Sequence, residues 1–245
     1  MFHDLRSNMR TFIFSLLVAV TWAIPAMKNP MVNESLFEGD IMGIDPNTDR
    51  NAIPRDSRRW PNGVVPYEVD EALYPIWNLL MRAIRHIEDR TCIRFKHKTD
   101  EKDYIRMVQS NGCWSFVGRL GNGEQKLSLG RGCENFGIVV HEILHALGFW
   151  HEQNRSDRDD YLIINWHNID PKWHYAFKKL EPFENRLLTP FDYESIMLYG
   201  EKSFSIDGIG KSMESTDGRH LPEAYNKPGM AASDEKRLKM LYNCQ

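Results

Sequence analysis

The 245-residue chain reads as an α+β protein of two lobes, a sheet-bearing N-terminal half followed by an irregular C-terminal half. Three observations predict this. Short runs rich in β-branched and aromatic residues, parted by Gly- and Asn-containing turns, crowd the stretch 64–129. Two segments, 75–90 and 136–148, carry instead helical spacing or a long apolar flank. Beyond 148 no period persists until a last helical run near 233–242.

Taken in order, Val64-Val-Pro-Tyr-Glu-Val69 reads as a strand. Ile76, Leu80, Ala83, Ile84 and Ile87 then mark the core face of a helix over 75–90. Strand candidates follow at 93–95, 104–108, 115–117 and 126–129. The helix 136–148 comes next and stops at Gly148, since a residue without Cβ enters the left-handed region cheaply.

A formal charge of −3 and 42% hydrophobic residues describe an ordinary globular protein, large enough to bury a core. No basic stripe argues for nucleic acid as a partner. Arg6 and Arg10 precede an apolar run, 12–20, and small residues at Ala23 and Ala26. That is the pattern of a secretory signal peptide over 1–23, with Ala26 as the alternative end. The run falls short of the about 20 apolar residues that span a bilayer, so no membrane anchor is expected and the mature protein is expected outside the cell. In that oxidising setting Cys92, Cys113, Cys133 and Cys244 imply two disulfides, and the sequence leaves three pairings open.

The chemistry concentrates in His141-Glu-Ile-Leu-His145-Ala-Leu-Gly148-Phe-Trp-His151. Two histidines four apart on a helix are offset by about 40° and 6 Å, so both imidazoles leave one face and can grip one ion. Glu142 leaves beside them, within reach of a water on that ion. After the turn at Gly148 the chain returns His151 as a third nitrogen. Three neutral imidazoles and an open position form a catalytic zinc arrangement, one Zn2+ per chain.

The extended pattern belongs to metzincin proteases, which carry a downstream Met-turn, and Ser195-Ile-Met-Leu-Tyr-Gly200 supplies one. With Glu152 after the third histidine, Arg155-Ser-Asp-Arg-Asp-Asp-Tyr161, Thr91-Cys-Ile-Arg-Phe95 and Gly112-Cys-Trp-Ser115, the chain resembles the astacin family from residue 37 to 244. It departs at Leu198, where the family usually has histidine; the departure touches hydrogen bonding behind the site rather than the metal ligands.

The resemblance implies a two-lobed metzincin fold with zinc in the cleft between the lobes. It implies an endopeptidase with Glu142 as general base and acid, and Tyr199 as a group that holds the tetrahedral intermediate, with plain core packing the lesser alternative for that tyrosine. Met197 forms an apolar floor beneath the histidines. The disulfides implied are Cys92–Cys244 and Cys113–Cys133. An extended peptide substrate is expected antiparallel to an edge strand near 113–116.

The resemblance also divides the chain into signal peptide 1–23, propeptide 24–50 and catalytic domain 51–245. Phe37-Glu-Gly-Asp40 is similar to the pro-segment motif whose aspartate, here Asp40, takes the place of water on zinc. A trypsin-like protease is expected to cut after Arg50, with Arg59 a competing site, and the freed Asn51 is expected to pair with Glu152. The alternative for Glu152 is an exposed residue past a helix end. Asn33 and Asn154 begin glycosylation sequons. Asp157, Asp159 and Asp160, alternating with Arg155 and Arg158, are expected to form ion pairs rather than a calcium site. Two rival functions are a silent zinc fold that only binds, and a zinc amidase or aminopeptidase.

Overall fold

A computed structural model describes residues 29–44 and 56–245. The expected signal peptide, Arg50 and Asn51 lie outside the described residues.

The N-terminal lobe is built on a five-stranded sheet in the order β2-β1-β3-β5-β4. Its strands are β1 (Val64–Val69), β2 (Arg94–His97), β3 (Tyr104–Val108), β4 (Cys113–Ser115) and β5 (Glu124–Leu129). All pairings are parallel except β4 on β5, so the one antiparallel strand lies at an edge. Helix α1 (Trp77–Glu88) crosses from β1 to β2 and buries Leu80, Ala83, Ile84 and Ile87. The helix is shorter than its apolar spacing predicts. Residues Glu71–Ile76, Pro75 among them, form a 3-10 turn instead, capped where Asp70 accepts from the Ala72 amide at 3.1 Å, and the non-helical backbone of Ile76 (φ −108°, ψ 15°) separates it from α1. β4 also begins two residues before the expected 115–117 and releases Phe116, because Gly118 (φ 69°) turns the chain away to donate its N–H to the His145 carbonyl.

Helix α2 (Phe136–Ala146) is buried from Gly137 to Ala146. A helix apolar all round belongs inside a protein, and α2 packs between α1, the β4–β5 edge and the turn Ala224–Asn226. Gly137 makes the last contact possible, since a Cβ there would lie 2.0 Å from the Ala224 carbonyl oxygen. The C-terminal lobe is mostly 3-10 turns and loops around a small sheet, β6 (Leu162–Ile164) with β7 (Met213–Ser215), closed by α3 (Ala232–Tyr242). The disulfide Cys92–Cys244 joins the end of α3 to the N-terminal lobe, and Cys113–Cys133 ties the start of β4 to the segment that follows β5.

Candidate metal centre

Asn135 starts α2 by accepting from the Gly137 and Ile138 amides, which fixes the helix phase. His141 and His145 then face the gap between the lobes, one turn apart and fully buried. Gly148 (φ 108°) ends the helix, and the reversed chain brings buried His151 against them. Each ring is oriented from behind. His141 Nδ1 donates to the Ile196 carbonyl at 2.8 Å, and His145 Nδ1 to the Phe149 carbonyl at 2.7 Å. A carbonyl only accepts, so both Nε2 lone pairs point inward. His151 Nδ1 faces the Glu38 carboxylate at 2.6 Å.

The His151 Nε2 lies 3.3 Å from that of His141 and 3.2 Å from that of His145. Tetrahedral zinc with bonds of about 2.0–2.1 Å to nitrogen needs ligand spacings of about 3.3–3.4 Å. Asp40 completes the group. One of its carboxylate oxygens lies 3.3 Å from His141 Nε2, and the other lies 3.2 Å from His151 Nε2. Among the described residues, Asp40, His141, His145 and His151 are the one set of three or more metal-ligating side chains gathered in this way.

Charge makes the same demand. Glu38, Asp40 and Glu142 are all buried here, and neither Glu142 oxygen has a hydrogen-bond partner. Buried carboxylates need compensating positive charge, which a divalent cation in the imidazole cage supplies. Burial, and then the charge of Asp40, push the Glu142 carboxyl well above its usual range. Burial also works against ionising Asp40, but the His151 charge and the imidazole hydrogen bonds outweigh it and hold the carboxyl well below that range. Burial pushes His141 down to about 4 and lowers His145 as well, favouring the neutral rings that bind metal. His151 is pushed up to about 9, because Asp40 and Glu38 overcome the cost of burying its charge.

The segment 37–41 enters this cage through a tight turn in which Phe37 and Ile41 exchange main-chain bonds of 3.1 and 2.9 Å. Gly39 (φ 92°) sits at its apex, where a Cβ would lie 2.8 Å from the Met31 carbonyl oxygen. Phe37 packs against Trp150 and Tyr175. Asp40 and Met42 flank Ser115 with main-chain bonds of 2.9 and 2.8 Å, and Ile41 pairs with this edge residue in parallel. The segment thus covers the edge expected to take substrate, in the direction opposite to that expected for substrate.

Tyr199 donates its hydroxyl to Asp40 and, at 3.0 Å, to the Glu38 carbonyl. Burial first, and Asp40 second, raise its pKa well above the usual phenol value, so it is a neutral donor. Met197 is fully buried, and its carbonyl accepts from the Glu152 amide at 2.9 Å.

Glu152 is itself buried, not exposed, and pairs with Arg155 at 3.0 Å and with Arg237. Two of the three acidic residues are taken up by ion pairs, Asp157 with Arg155 at 2.8 Å and Asp159 with Arg158 and Lys179 at 2.6 Å each, whereas Asp160 makes none among the described residues. The sequon residue Asn154 lies in the interior of the C-terminal lobe. Its amide is fully buried and donates to the Ala176 and Lys178 carbonyls at 3.0 and 2.9 Å. Asn33 is half-buried and donates to the Asn111 carbonyl at 3.3 Å.

Comparison with known proteins decides the family. Residues 52–243 match Astacin, a family of peptidases. The chain belongs to the astacin family. Astacin-like metalloprotease toxin 1 of Loxosceles intermedia is 40% identical over 214 residues, covering 85% of this chain and 81% of that protein. High choriolytic enzyme 2 of Oryzias latipes is 42% identical over 227 residues, covering 89% and 78%. The solved structure of High choriolytic enzyme 1, a hatching enzyme zinc-protease from Oryzias latipes, aligns with a TM-score of 0.71 at 41% identity, over 78% of this chain and 97% of that one. As an astacin the chain is a zinc peptidase acting on proteins or peptides. Among its described residues no helix is long and apolar enough to cross a membrane.

Four residues at this astacin centre were not singled out by sequence. Glu38 lies inside the quoted pro-segment motif but carries no spacing signal of its own. Lys227 donates its ammonium to the Ser195 and Leu198 carbonyls at 2.7 and 2.8 Å. Asp234 accepts from the Ser195 hydroxyl at 2.7 Å and the Ile196 amide at 2.8 Å, and Arg237 binds Glu152 and Asp234. These last three lie far along the chain, where only the fold reveals them.

Proposed function

We propose that the chain is a secreted endopeptidase made as a latent zymogen, with signal peptide 1–23, propeptide 24–50 and catalytic domain 51–245. The observation that carries this reading is Asp40, a carboxylate of the pro-segment set among three inward imidazole nitrogens and beside an unpartnered Glu142. His141, His145 and His151 hold zinc, which when bound acts as a Lewis acid toward a peptide carbonyl and acidifies a water. Glu142 takes the proton from the attacking water and delivers it to the departing amide nitrogen. Tyr199, freed from Asp40, donates its hydroxyl to the oxygen on which negative charge develops. Loss of Asp40 also removes one of the two influences that raise the Glu142 pKa, bringing this carboxyl closer to the range of a base.

Activation removes the pro-segment by a cut after Arg50. Arg59 is a poor competitor, because Arg119 donates to the Ser57 and Arg59 carbonyls at 3.0 and 3.2 Å, and its amide donates to the Arg58 carbonyl at 2.7 Å. The 3-10 turn Asp56–Arg58 just before this bond, held in that way, resists the extended conformation that a protease requires. The new amino group of Asn51 then joins Glu152 in its network with Arg155 and Arg237.

The test is to treat the purified full chain with trypsin and follow cleavage of a denatured protein. Activity is expected to appear with the cut, to vanish with a chelator, and to fall about 10²–10⁴-fold in Glu142→Gln. N-terminal sequencing should read Asn51, and Arg50→Gln should block activation where Arg59→Gln does not. Proteolysis that survives Glu142→Gln at full rate overturns the assignment of the base. A zinc-loaded chain that cleaves nothing after the cut supports a binding module instead.

A further inference from the structure

The three ligand imidazoles are not supported alike. His141 and His145 lean on carbonyls of the catalytic domain, Ile196 and Phe149. His151 leans on the pro-segment, with Glu38 Oε2 at 2.6 Å from Nδ1. Glu38 is 1% exposed, so this carboxylate meets no bulk water. Its backbone sits at φ 52°, a region that costs a residue with a Cβ free energy and suits Gly or Asn better. A long acidic side chain has been placed there regardless, and it reaches one metal-binding ring. Its carbonyl meanwhile accepts from the Tyr199 hydroxyl at 3.0 Å.

We infer that Glu38 is a positioning residue for the metal, completing from the pro-segment the outer hydrogen-bond shell of His151, so that the latent chain holds zinc more tightly than Asp40 alone provides. This rests on the reading of His141, His145 and His151 as zinc ligands. The reason is general. A carboxylate behind a ligating imidazole fixes the ring and its tautomer and makes the inward nitrogen more basic, and losing such a partner weakens metal binding about 10–100-fold. Activation therefore removes two carboxylates with different tasks, Asp40 from the metal position and Glu38 from behind a ligand. The mature centre is left with one imidazole that has lost its pro-segment support.

The test is zinc competition on the full-length proenzyme with a chromophoric chelator, comparing wild type, Glu38→Gln, Asp40→Asn and the double variant. Glu38→Gln keeps size and polarity, and folding is checked by circular dichroism. Its zinc affinity is expected to fall about 10–100-fold, and to fall again when added to Asp40→Asn. A second readout needs no variant. In wild-type proenzyme labelled with 15N-histidine and loaded with zinc, one Nδ1 proton should show the downfield shift of a carboxylate hydrogen bond, and trypsin should abolish it. Affinity within twofold of wild type in folded Glu38→Gln, or a histidine spectrum unmoved by the cut, overturns the inference. A wild-type chain that binds no zinc at all overturns the underlying metal assignment.

Discussion

At the residue scale, Tyr199 carries the sharpest choice left by the sequence, catalytic donor or packing. Its hydroxyl is fully buried yet ends on Asp40 and the Glu38 carbonyl, both in the segment we propose is removed on activation. A packing tyrosine does not need partners that activation discards. In the activated enzyme Tyr199→Phe should lower kcat about 10²–10³-fold with KM little changed, as expected for a donor used only in the transition state. Steady-state kinetics on a single peptide decide this, and an unchanged kcat removes Tyr199 from the mechanism. Leu198, beside it, shows why the departure from the family pattern is tolerated here. The turn is held through its main-chain carbonyl by Lys227, which needs no particular side chain at 198.

At the element scale, what places the metal is the docking of α2 against the C-terminal lobe. The helix approaches Ala224–Asn226 so closely that Gly137 has no room for a methyl group, with the Ala224 and Lys227 carbonyl oxygens at 2.0 and 3.0 Å from a Cβ. The same loop sends Lys227 to the Ser195 and Leu198 carbonyls, and Asp234 holds the Ser195 hydroxyl and the Ile196 amide. Ile196 in turn orients His141. Gly137→Ala should therefore cost about 1–3 kcal/mol through overpacking, in spite of the better helix propensity of alanine. It should also weaken metal retention by moving the helix from the turn. A urea melt showing equal or greater stability is the outcome that contradicts this account of the interface.

At the scale of the whole molecule, the two lobes are tied by the Cys92–Cys244 bond across 152 residues of chain. By loop-closure entropy a link of that span stabilises the folded state by about 4–5 kcal/mol before any strain. Replacing both cysteines by serine should lower the midpoint of urea unfolding accordingly, whereas the shorter Cys113–Cys133 loop should cost about 3 kcal/mol. Equal losses from the two replacements count against the entropic account. The proposed latency belongs to this scale too, since Asp40 and Glu38 contact residues more than 100 positions away.

The amino-acid sequence by itself determined the ligand pattern and the element order, because both are local. A four-residue helical spacing, a glycine stop and an alternating strand are written within a few neighbouring positions, and β1, β3, α2 and α3 fall close to where those patterns lie. Element ends were less legible at Pro75 and Phe116, where a 3-10 turn and a glycine turn override the apolar spacing. Only the tertiary structure decided what stands behind each ring, that Asn154 is sealed off, and that Glu152 is paired by Arg155 and Arg237. Those contacts join residues distant along the chain, and burial makes each polar group find a partner in space rather than in sequence.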